Sequence, residues 1–154
     1  MTTISHGKHP NPWCGPAAIA LLTGLSSDQA AKAARIATGH KRIIGLTGDE
    51  AIVTLIRLGF RCDVLESFDL DYLPTLKKWW YDTFRLPDSP LLLFLVNEPH
   101  FAVVKGTEYG DNATGGMVPF SDRRIVRRRR VAAAFTVTPV RGAKSQLMAF
   151  VKGE

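Results

Sequence analysis

Apolar positions along the 154 residues fall into two regimes that meet near Phe60. Residues 14–23 read Cys-Gly-Pro-Ala-Ala-Ile-Ala-Leu-Leu-Thr and are apolar on every side, which predicts a buried helix. Pro16 is tolerable only in the first turn of such a helix, and Gly24 supplies its stop. Ser26-Ser27-Asp28-Gln29 is a capping box opening an Ala-rich helix to about Thr38, ended by Gly39. Thr47-Gly48-Asp49-Glu50 is a second capping box, followed by Ile52, Leu55, Ile56 and Leu58 at helical spacing and closed by Gly59.

Beyond this point the pattern shortens to period two and brief apolar runs. Residues 60–65, 91–96, 101–104, 117–120 and 131–137 are the expected strands. One more helix is expected over 70–84, with Leu73, Leu76, Trp80 and Phe84 on one face. Helices first and strands afterwards predict an α+β fold in which N-terminal helices pack on a C-terminal antiparallel sheet. The chain shows no internal repeat and no linker, so residues 1–154 are read as one domain.

Composition narrows the class further. With 45% hydrophobic and 22% charged residues the chain is of ordinary globular character, able to bury roughly two-thirds of its surface. No uncharged stretch approaches the ~20 apolar residues of a membrane span, and no membrane partner is expected. The first thirteen residues are polar and broken by Gly7, Pro10 and Pro12, unlike a signal peptide, so a cytoplasmic or virion-enclosed location is expected. Two cysteines in such a chain are read as free thiols.

Charge is unevenly placed. Residues 1–120 hold 11 basic and 12 acidic side chains, whereas the last 34 hold 9 and 2, a bias that produces the net charge of +6. Most of it is one cluster, Arg123, Arg124, Arg127, Arg128, Arg129 and Arg130. Two readings compete: a solvated strand edge protected from aggregation, or a surface for the phosphates of nucleic acid or an acidic protein. No aromatic residue interleaves the arginines, so base stacking is not indicated.

The candidate chemistry starts at Asn11-Pro12-Trp13-Cys14-Gly15-Pro16, which places a cysteine at the start of a buried helix. Unpaired amides and the helix dipole favour a thiolate there, and the same amides can hold an oxyanion. Cys62, in the strand-like Phe60-Arg61-Cys62-Asp63-Val64, is read as structural. Of the histidines, His100 sits at the mouth of the apolar strand His100-Phe101-Ala102-Val103-Val104 and is the candidate base, while His40 is assigned no chemistry.

A third group should orient the imidazole, and Asp111 and Asn112 both lie one hairpin away. If Gly106-Thr107 is a two-residue turn, cross-strand partners sum to 213; His100 then faces position 113, and Asp111 shares its side of the sheet. A turn longer by one residue would select Asn112 instead.

Cys14, His100 and Asp111 or Asn112, in that order, resemble the papain-like cysteine peptidases, and especially the small forms found in bacteriophages and among bacteriocin-leader peptidases. In those proteins a Cys-Gly-Pro or similar tripeptide opens a buried helix, and a His-hydrophobic-Val-Val-x-Gly strand begins the sheet half. The resemblance implies Cys14 as nucleophile, His100 as base and Asp111 or Asn112 as orienting residue, with a peptide or protein substrate and no cofactor. It departs in one respect. The family commonly has a Gln five or six residues before the nucleophile as oxyanion donor, where this chain has His9 and Lys8; Asn11 or His9 would have to substitute.

Other readings attach to the same residues. His6, His9 and Cys14 offer three metal-ligand types, but at a spacing that is not a zinc signature. A papain-fold binding or structural protein, for instance a virion component docking through the arginines, is the alternative to an enzyme. The expected activity is thiolate hydrolysis of a peptide or isopeptide bond, with cell-wall amides open to the same chemistry.

Overall fold

The computed structural model describes residues 14–42, 45–83, 89–96, 100–142 and 144–153. Three helices come first, α1 (Cys14–Thr23), α2 (Ser27–Thr38) and α3 (Gly48–Arg57), then β1 (Phe60–Ser67), α4 (Leu76–Asp82), β2 (Leu91–Val96), β3 (His100–Lys105), β4 (Glu108–Gly110), β5 (Met117–Pro119), β6 (Arg130–Pro139) and α5 (Gln146–Lys152). The six strands form one sheet in the order β1-β6-β2-β3-β4-β5, antiparallel at every pairing.

Both capping boxes form. The Ser26 side chain accepts from Gln29 N while the Gln29 side chain accepts from Ser26 N, and Thr47 and Glu50 repeat the arrangement. The all-round apolar α1 is buried from Gly15 to Ala20 and again at Leu22, packed among α2, α3 and β3.

Strand β2 explains its own unbroken run of Leu, Phe and Val. Leu92 and Phe94 face the helices, while Leu91, Leu93 and Leu95 face a second core with Leu76, Trp79, Phe120 and Ile125. A strand covered on both sides has no polar face to alternate with. The β3–β4 hairpin has the expected register: Val103 pairs with Gly110, Val104 with Tyr109 and Lys105 with Glu108. Its turn residue Gly106 has a φ of +60°, a conformation that side-chain-bearing residues rarely adopt.

Two readings need correction. The helix expected over 70–84 begins only at Leu76, because the preceding Pro74-Thr75 segment is held extended: Val131 N donates to Pro74 O at 2.8 Å, and Thr75 bridges Arg130 and caps Lys78 N. Trp79 is the more deeply buried tryptophan there, Trp80 packs partly buried against the same core and stacks on Phe120, and Phe84 lies outside the described residues. The arginine cluster does not line a sheet edge. Only Arg130 is in β6, which runs between β1 and β2 inside the sheet. Beyond these, α5 had no expectation attached to it, and β4 entered only as the far arm of the hairpin after Gly106. They are seven and three residues long, too short to show a period, although Ser145 and Gly153 cap α5.

Helix α3 offers a test of which apolar residues form the core. Leu55 is fully buried and Ile56 is 54% exposed. Leu55→Ala should cost about 2–5 kcal/mol and Ile56→Ala less than about 1 kcal/mol, read from urea midpoints at constant slope.

Candidate active site

Cys14 is the first residue of α1, so its backbone N–H and those of the next residues have no acceptor within the helix. The helix can approach closely because residue 15 is glycine: a Cβ there would stand 2.7 Å from Leu46 Cδ1. The half-buried Cys14 thiol meets the His100 ring as a hydrogen-bond partner, and the N–H groups of Phe101 and Gly15 also point at the sulfur. Burial would raise the thiol pKa, but His100, by hydrogen bond and by charge, together with those two amides, brings it below its ordinary value.

His100 opens β3 and is buried. Its Nε2 lies 3.0 Å from Asp111 Oδ2. A carboxylate only accepts, so Nε2 carries the proton and Nδ1 is the nitrogen left for Cys14. Burial opposes the imidazolium, yet hydrogen bonds to Asp111 and Cys14 outweigh it and raise the pKa, against an opposing contribution from the charge of Arg129.

Asp111 follows β4 directly and is buried. Its Oδ2 also accepts from Tyr109 OH at 2.7 Å, and its Oδ1 accepts from Ala113 N at 2.8 Å and Thr114 N at 2.9 Å. Thr114 Oγ1 in turn accepts from Asp111 N. Burial would push the carboxyl up, but the bonds from His100 and Tyr109, the charge of His100 and the Thr114 amide bring it below its usual value. Burial and the carboxylate also raise Tyr109, which keeps its proton and donates it. The hydrogen bond to His100 therefore belongs to Asp111; Asn112 lies in the turn that follows.

The remaining candidates are placed as follows. Cys62 in β1 is pushed up to about 11 by burial and by the charge of Asp63, the opposite direction from Cys14. His40 pairs with Glu50 at 2.5 Å on the surface. His9 and Asn11, and with them His6, lie outside the described residues. Among the described residues no cluster of three His, Cys, Asp or Glu side chains is arranged to hold a metal.

Within the arginine cluster, Arg124 forks onto Asp122 with two bonds of 2.9 Å and donates Nη1 to Thr114 O. Arg127 donates to Phe120 O and Asp122 O and lies over the Phe120 ring, and Arg130 donates to Leu73 O. Arg123 and Arg128 are exposed, and Arg129 is half-buried.

Two features of the site were not anticipated from the sequence. Tyr109 was legible in principle, since it shares the strand parity of Asp111. The second is a largely apolar groove of about 480 Å³ beside His100, lined by Gly45, Leu46, Thr47, Phe94 and Phe101. It is assembled from segments far apart in sequence, and no local pattern marks it.

Helices ahead of an antiparallel sheet, with a cysteine heading the buried first helix and a histidine opening a strand against it, make this a papain-like α+β fold. Among solved structures the chain is similar to the crystal structure of the peptidase domain of Streptococcus mutans ComA, with a TM-score of 0.52 and 17% sequence identity over 90% of this chain and all of that one. The likeness is one of fold. No family model and no curated protein matches the chain.

The depressed Asp111 pKa has a consequence for acid stability. A carboxylate whose folded pKa lies below its unfolded value contributes stability that is present above about pH 3.9 and lost as pH falls through the folded pKa. The wild type should therefore be more stable than Asp111→Asn at pH 5 to 7. That difference should shrink towards pH 2 in denaturant unfolding measured across the range.

Proposed function

We propose that this protein is a cysteine peptidase that cleaves a peptide or isopeptide bond by acyl transfer, with Cys14 as nucleophile, His100 as general acid and base, and Asp111 as the residue orienting the ring. The observation that carries the reading is the pairing itself. A thiol lowered and an imidazole raised by one another, with the ring's far nitrogen on a buried carboxylate, favour a thiolate–imidazolium pair near neutral pH.

The chemistry follows from these positions. The Cys14 thiolate adds to the carbonyl carbon, and the negative charge moves to the carbonyl oxygen, where amides of the first turn of α1 are available donors. Collapse of this intermediate breaks the C–N bond as His100 gives its Nδ1 proton to the departing amine, leaving a thioester on Cys14. Water then attacks the thioester with His100 taking its proton, and the acid is released with the thiolate restored. Asp111 holds the ring and balances its charge while it is protonated. His9 and Asn11 are proposed as further oxyanion donors. The groove beside His100 supports a substrate carrying an apolar side chain next to the scissile bond. The fold shared with a peptidase domain supports the reaction class.

Alkylation tests this directly. At pH 6 iodoacetamide should label Cys14 much faster than an ordinary cysteine of pKa about 8.5, whereas Cys62, pushed up to about 11, should remain unlabelled. His100→Ala should slow Cys14 to the ordinary rate. On a cleaved peptide, Cys14→Ala should abolish turnover and Asp111→Ala should lower it by about 10²- to 10⁴-fold. Equal labelling of both cysteines at pH 6 would refute the reading.

A further inference from the structure

The peptidase reading leaves the arginine-rich segment without a role, although that segment lies over the site. Strand alternation places Phe101 and Val103 among the helices and Ala102 and Val104 on the opposite face. His100 shares the second parity, as do Tyr109 and Asp111 through the hairpin register. That face is covered by α4 and residues 120–131, which contribute Leu76, Trp79, Phe120, Ile125 and Val131 to its core.

The covering segment is pinned on two sides. Leu76 N donates to Arg129 O at 2.7 Å and Lys77 N to Arg127 O at 3.1 Å, tying it to the start of α4. Arg124 Nη1 donates to the carbonyl of Thr114, the residue whose N–H caps Asp111. Held in this frame, Arg129 has its Nη1 closed off from water with no hydrogen-bond acceptor among the described residues. Its charge acts on both His100 and Tyr109. A guanidinium nitrogen shut away without an acceptor is costly unless a negative group nearby compensates, and Asp111 is the ionised group that bonds to both His100 and Tyr109.

We propose that Arg129 is a positioning residue of this site: Val131, two residues on, pairs with Leu95, which pairs in turn with His100, so Arg129 lies at the same end of the sheet as the histidine and its buried guanidinium is a fixed positive charge for the ring. Four charged or titratable groups act around the ring. Cys14 arrives from α1, Asp111 and Tyr109 come from β4 and its turn, and Arg129 comes from the segment before β6; Arg124 acts on Asp111 from the same segment. Cys14 and Asp111 hold the proton on the imidazole, and Arg129 pushes it off. An imidazolium stabilised only by its two anionic partners would be a sluggish acid towards a leaving amine, so a cation behind it serves the acid step. Only this last consequence rests on the peptidase reading.

The test is an NMR titration of the His100 ring in the full chain, the signal assigned by its loss in His100→Gln. Arg129→Gln and Arg129→Met should both move the His100 midpoint upward. Arg129→Lys, which keeps the charge, and Arg128→Gln, a neutralised exposed neighbour, should leave it near the wild-type value. The Met variant replaces the unpartnered nitrogen with apolar volume and should melt as cooperatively as the wild type. A folded neutral variant whose titration superimposes on the wild type overturns the proposal. So does an equal shift in Arg129→Lys or Arg128→Gln, because shape or overall charge would then be responsible. Since the midpoint needs no turnover, it decides the role of Arg129 even where alkylation of Cys14 refutes the peptidase reading.

Discussion

A carboxylate taken out of water and left charged needs a donor for each of its lone pairs, and the surroundings of Asp111 are arranged to supply them. Oδ1 takes two amides from its own turn, and Oδ2 takes the Tyr109 hydroxyl and the His100 ring. The turn bonds set where the carboxylate sits, and the carboxylate sets which ring nitrogen of His100 carries the proton. The other nitrogen is thereby committed to Cys14. Remove the saturation of Asp111 and the chain of consequences reaching the thiol has no fixed end.

The two layers on either side of the sheet bring the ends of that chain together. On one side the uniformly apolar α1 is driven into the core among α2, α3 and β3, so its first residue is delivered at the head of a buried helix. On the other side α4 and residues 120–131 close over the face that carries His100, Tyr109 and Asp111. The same burial that lets the pair interact strongly would, without partners, have neutralised each member. Cys62 shows the contrast: a half-buried thiol beside an aspartate and without an imidazole is pushed to about 11.

The arginine segment illustrates how one residue type can serve different ends. Residues 120–129 have little regular pairing, so their carbonyls need donors from elsewhere, and the Arg127 guanidinium provides them at Phe120 and Asp122, as Arg124 does for the Thr114 carbonyl. Arg130 does the same for Leu73, before α4. What reads along the chain as a block of repelling charge is, for these side chains, a set of internal ties.

Much of the fold was legible because its signals are local. Capping boxes at Ser26 and Thr47 and the glycine stops are satisfied by residues within a few positions of one another, so their spacing alone specifies them. Hairpin parity narrowed the partner of His100 to Asp111 or Asn112, and only the turn length seen in the structure puts Asp111 on the ring. Other features required the tertiary structure, because their partners are distant in sequence. The helix near residue 76 starts late because Pro74 and Thr75 are claimed by β6, some 55 residues on. Arg129 acquires its setting only when α4 and the end of the loop meet over His100, and the groove at Phe94 exists only once the chain around Leu46 packs beside β2 and β3. Backbone hydrogen bonds within a turn or cap are decided by the residues that make them. The pairing of segments across the sheet depends on which surfaces remain to be buried once every element has formed.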